Sequence, residues 1–79
     1  MVETRITPRY RVSKPATIKF VGGAADCVVR DLSITGAAIE VINPANIPKS
    51  FVLVMPDDGL QLPCLVVWRS QFRIGVKFN

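Results

Sequence analysis

The sequence predicts an all-β domain, six antiparallel strands closed into a small barrel or stacked as a sandwich. Three observations carry that prediction. Apolar and polar residues alternate with a period of two in most segments. Proline and glycine breakers divide the chain at intervals of roughly ten residues. No stretch long enough for a stable helix shows helical spacing without a proline or glycine cutting it. A closed barrel also removes the strand edges that a chain 49% apolar would otherwise leave open to pairing.

Pro8 and Pro15 bracket the start of the chain. Residues 16–21 read as the first strand, with Ala16, Ile18 and Phe20 on one face and Thr17 and Lys19 on the other. Gly22-Gly23 signals a hairpin into residues 27–32, and Gly36 precedes a strand over residues 37–42. Residues 43–48, with two prolines and two asparagines, read as a loop. The turn Asp57-Asp58-Gly59 joins a strand over 51–55 to one over 60–69, where Leu60, Leu62, Cys64, Val66 and Trp68 share a face. In the last strand, 72–78, Phe72, Ile74, Val76 and Phe78 oppose Arg73 and Lys77. This alternation assigns Phe20, Trp68, Phe72 and Phe78 to the core, Tyr10 to a packing anchor at the strand start, and Arg69 and Arg73 to solvent.

Length and composition narrow the function. At 79 residues the chain makes one domain, divided here into an N-terminal segment, residues 1–12, expected to be flexible, and a barrel over 13–79. The absence of histidine removes the commonest general base and metal ligand and excludes Ser-His-Asp and Cys-His mechanisms. Cys27 and Cys64 form no CxxC pair, so zinc-ribbon and thioredoxin-type readings fail. Asp57 and Asp58 are turn residues rather than a hydrolytic pair. No catalytic residue, metal or cofactor is expected, and an enzyme is the least favoured class. No segment approaches the roughly 20 apolar residues of a membrane helix, and no signal-peptide core comes after the basic start. A cytoplasmic protein with two reduced thiols is therefore expected. The net charge of +4 attracts anions, though weakly at cellular salt.

Two polar clusters stand out. Arg5, Arg9 and Arg11 crowd the N-terminal segment around Pro8, which disfavours helix. A guanidinium is a planar fork suited to phosphate oxygens and to the guanine edge, and it stacks on flat rings. The bland alternative is a solvated basic tail. In the second cluster, Asp31 and Ser33 are two apart on a strand end, so they project to one face, and Gly36 permits a close backbone approach. A carboxylate there can accept the N1–H and N2–H of a guanine. The bland alternative is a polar turn in which Asp31 and Ser33 satisfy local amides.

Taken together, RxxxR near the N-terminus and then DxSxxG at the second strand resemble the PilZ domain family. The resemblance covers nearly the whole chain: residues 9–12 lead into the first strand, residues 29–37 look like the second motif in its strand context, and residues 66–68 and 74–78 look like closing strands. It implies a bacterial, cytoplasmic receptor for the second messenger cyclic di-GMP, folded as a six-stranded antiparallel barrel. The arginines would be Arg5 and Arg9, wrapping phosphates and guanine from the flexible segment. The second motif would be Asp31, Ser33 and Gly36, on the barrel surface beneath a guanine. Read from the residues alone, Arg11 is a secondary phosphate contact or a surface residue, and Arg30 pairs with an acid or lines the pocket rim. Thr4 stands where many members carry another arginine, a neighbour that influences whether one ligand or a stacked pair binds. The helix that often succeeds the barrel is absent before Asn79, so the domain is expected to act on a protein partner in trans, through ligand-induced ordering of its N-terminal segment.

Two other readings remain open. A small basic barrel can bind single-stranded nucleic acid, which asks for several aromatics on one exposed strand face. A protein-interaction module without a ligand is the other. Neither a membrane nor a nucleic-acid polymer is an expected partner.

Overall fold

The computed structural model describes residues 10–79. Six strands succeed one another: β1 (Tyr10–Phe20), β2 (Gly23–Leu32), β3 (Gly36–Glu40), β4 (Ser50–Met55), β5 (Leu60–Arg69) and β6 (Arg73–Phe78). Every neighbouring pair is antiparallel, and the order β1-β2-β3-β6-β5-β4 closes into a barrel through the pairing of β1 with β4. The expected six-stranded barrel is the observed one.

The alternation in the sequence places the core. Ile18, Val29, Ile39, Leu53, Cys64 and Ile74, one from each strand, are fully buried. No charged or polar side chain among the described residues is buried with them, so the interior has no polar group to satisfy. β1 begins at Tyr10, earlier than alternation alone suggests, and Pro15 lies inside it. Proline is tolerated there because β4 pairs with β1 only over Thr17, Ile18 and Lys19. Pro15 thus has β2 as its single neighbour, an edge-like setting. Residues 10–12 are accordingly strand residues.

β3 and β4 are not neighbours, so the connection between them must cross one end of the barrel past β6 and β5. Val41, Pro44 and Ile47 bury themselves along that path, and Pro44–Asn46 form a single 3-10 turn. Arg69, at the end of β5, holds the turn. Its Nη1 donates to the carbonyls of Pro44 and Ile47, each at 2.6 Å. Arg69 is exposed, as expected, but its guanidinium is not free: it donates to two carbonyls, and the one on Pro44 also accepts the turn's own hydrogen bond from Ile47 N–H.

Three strands carry an irregularity in register. It falls between Arg11 and Lys14 on β1, between Val29 and Asp31 on β2, and between Val66 and Trp68 on β5. An extra residue in one strand reverses the facing of the residues beyond it. Val66 is buried, but Val67 and Trp68 are both turned outward, Trp68 to 47% exposure. The core assignment of Trp68 is overturned for that reason. Phe72 is also exposed, because it precedes β6 and its alternation, whereas Phe20 and Phe78 pack against the core from its margin. Tyr10 is exposed rather than an anchor.

Candidate functional site

The irregularities on β2 and β5 act together. Val29 points into the core and Arg30 is the extra residue, so Asp31 emerges on the outer wall instead of joining Val29 inside. From there one row of paired Cα positions crosses the sheet: Arg11 with Asp31, Asp31 with Ala38, Ala38 with Gly75, and Gly75 with Trp68. Paired residues of an antiparallel sheet share a face. The row is therefore a strip of wall with two small residues in the middle, a carboxylate on one side and an indole on the other.

That strip floors a groove of about 270 Å³, lined among others by Asp31, Ser33, Gly36, Trp68, Gly75 and Lys77. The indole can lie flat because Gly75 has no side chain: a Cβ there would overlap Trp68 Nε1 and Cε2. Gly36 serves a different close approach. A Cβ on it would collide with the carbonyl oxygen of Val76, so only glycine lets β3 start against β6.

Ser33 builds the corner between β2 and β3. Its N–H donates to the Gly36 carbonyl at 2.9 Å, and its Oγ accepts from the N–H groups of Gly36 (3.1 Å) and Thr35 (3.3 Å). The hydroxyl thus does the work of a turn residue, while the corner it shapes remains groove wall. Asp31 is half-buried and lines the groove directly. Arg30 reaches back across β2: Nη1 donates to Ser13 Oγ at 3.3 Å and Nη2 pairs with Glu40 at 3.4 Å.

Arg5 and Arg9 lie outside the described residues. Arg9 is bonded to Tyr10, however, and Tyr10 pairs with Leu32 while Arg11 pairs with Asp31. The segment that carries both arginines is thus rooted within one residue of the Asp31 corner, at about 3.8 Å per Cα step.

Sequence reasoning did not place Trp68, Gly75 or Lys77 at the groove. Trp68 was hidden by its place in an apolar alternation, Gly75 was read only as part of a closing strand, and Lys77 only as the polar face of that strand. The signal that was available is the run Val66-Val67-Trp68-Arg69. It holds one apolar residue more than a period of two accommodates.

The two cysteines stay out of this chemistry. Both are free and buried. Burial pushes the Cys27 thiol up to about 12, with the nearby charges of Asp26 and then Cys64 adding to it. Burial likewise pushes Cys64 up to about 11, partly offset by a backbone hydrogen bond from Leu53. No group of three or more His, Cys, Asp or Glu among the described residues is placed to hold a metal. No helix among them is long and apolar enough to cross a membrane.

Compared with known families, the chain matches the model described as PilZ domain over residues 3–79. No curated protein sequence matches it.

Proposed function

The chain belongs to the PilZ domain family, whose members are receptors for cyclic di-GMP, and on that premise we propose that it binds cyclic di-GMP in the groove between Asp31 and Trp68. The observation that carries this reading is the outward row itself. Ala38 keeps the middle of the row low, Trp68, lying across Gly75, offers a stacking face at one side, and Asp31 offers a guanine-reading carboxylate at the other.

Such binding needs several contacts acting together. Micromolar affinity needs about −8 kcal/mol. Two charge-assisted arginine contacts, from Arg5 and Arg9, contribute about 3–6 kcal/mol gross. Ordering the N-terminal segment opposes that. Stacking of one guanine on Trp68 adds about 1–3 kcal/mol, and the Asp31 contacts supply selectivity. Nucleic-acid stacking is disfavoured by the company of another exposed aromatic, Phe72. Phe72 shares its groove with the carboxylates of Asp26 and Glu40, which repel a phosphate backbone.

In this reading the domain is a receptor rather than an enzyme. The proposed change is closure of the N-terminal segment over the ligand, and the changed surface signals to a protein partner in trans. Trp68 is the single tryptophan, so its fluorescence reports the groove directly. Titration with cyclic di-GMP is expected to give saturable quenching and heat. GMP and the linear dinucleotide serve as controls. Arg5→Ala and Arg9→Ala each abolish measurable binding while the barrel melts normally. Asp31→Ala weakens binding and blunts discrimination between guanine and adenine dinucleotides. Near-normal affinity in both arginine variants rejects the site. Amide exchange over residues 4–11 that ligand leaves unchanged rejects the closing segment.

A further inference from the structure

Beside the groove, β1, β2 and β6 enclose a second concavity of about 230 Å³, lined by Arg11, Val12, Arg30, Asp31 and Arg73. Three guanidiniums from three strands face one small space. The carboxylates that answer them are Asp31, in the same wall, and Glu40, which pairs with Arg30 and is the Cα partner of Arg73. Three positive charges against two negative leave a surplus of one, and it is concentrated where like charges are costly to bring together.

Arg30 shows where that surplus is directed. As the extra residue on β2, it has its course set by the backbone. Its two terminal nitrogens are committed to Ser13 and Glu40. Its Nε is buried with no hydrogen-bond partner. An unmatched donor on a charged group is costly, and an oxyanion in the cavity beside Arg30 offsets the surplus positive charge gathered there. The space holds several times the volume of about 30 Å³ taken by one water. Arg73, assigned to solvent on its alternation, thus has a second face onto this cavity.

We propose that this cavity is an oxyanion site for a phosphate group, held by Arg30, Arg73 and Arg11. The phosphate comes either from the free ion or from a nucleotide whose base occupies the adjoining groove, since Asp31 belongs to both walls. The site does not depend on the cyclic di-GMP reading, and its test uses inorganic phosphate.

Inorganic phosphate is titrated at constant ionic strength while the Nε–H resonance of Arg30 is tracked by NMR. A saturable shift is expected, about tenfold weaker in Arg73→Gln, equivalent to about 1.4 kcal/mol. Arg73 starts an exposed strand end, so that variant keeps the fold even if Arg30→Gln does not. Trp68→Ala leaves the phosphate shift unchanged, which separates this site from the groove. Cyclic di-GMP is then added to phosphate-saturated protein. Competition, together with weaker dinucleotide binding in Arg73→Gln, assigns the site to a phosphate of the dinucleotide. Independent binding assigns it to the free ion. A shift that matches chloride at equal ionic strength, or that is undiminished in Arg73→Gln, overturns the proposal.

Discussion

The indole of Trp68 lies across Gly75, its own Cα partner on the neighbouring strand, in space that any side chain on Gly75 would fill. One residue supplies an exposed aromatic face and the other supplies only its lack of a Cβ. Trp68→Ala is expected to weaken cyclic di-GMP binding by roughly 5- to 150-fold, the equivalent of one lost base stack. Gly75→Ala should cause a similar loss by lifting the ring, with Trp68 emission shifted to longer wavelength even without ligand. Calorimetry and fluorescence on the folded variants check both. Unchanged emission in Gly75→Ala would show that the ring does not rest there.

Gly36 faces a harder constraint, because the obstacle is backbone. A methyl group there meets the carbonyl oxygen of Val76, which cannot rotate away as an indole can. Gly36→Ala is expected to cost about 1–3 kcal/mol in stability, as overpacking does. It should also loosen the pairing of β3 with β6. Urea denaturation gives the first quantity, and amide exchange of Ala37 and Val76 the second.

Arg69 is a structural cation. Removing it in Arg69→Ala leaves the carbonyls of Pro44 and Ile47 without their charged donor. A loss of about 2–3 kcal/mol is expected, with a fall in Tm of roughly 4–8 °C for each kcal/mol in a domain of this size. Ligand affinity should change little, since Arg69 does not line the groove. A variant that melts like the parent would remove the clamp.

The buried thiols make stability depend on alkaline pH. Both pKa values are raised above 9.0, Cys27 to about 12 and Cys64 to about 11. As pH rises past 9, the unfolded chain releases these protons while the folded one retains them. The contribution is complete below about pH 9 and is lost as pH climbs through the folded values. Urea midpoints are expected to fall between pH 8 and pH 10.5, and more gently in a Cys27→Ala, Cys64→Ala double variant. Reaction with a thiol reagent at pH 8 should be slow in buffer and fast in urea. Equal slopes with and without the cysteines would contradict this.

The six strands, the facing of most of their residues and most of the core were legible in the residues alone. Alternation is local: Ile18, Leu53 and Ile74 need no knowledge of their neighbours to be recognised as inward. The corner formed by Asp31, Ser33 and Gly36 was legible too, because its types and spacing sit within a few residues of chain. The tertiary structure decided where alternation fails. An extra residue such as Arg30 or Val67 is extra only against a partner strand, and no single strand records how its partner is numbered. That pairing turned Asp31 and Trp68 outward onto one wall. It brought Arg73 toward Arg30 from a strand more than 40 residues away in sequence, and set Arg69 against a loop that the sequence left unanchored. Strand identity comes from short-range periodicity, whereas a binding surface is made by register between distant strands, so only the closed barrel could assemble it.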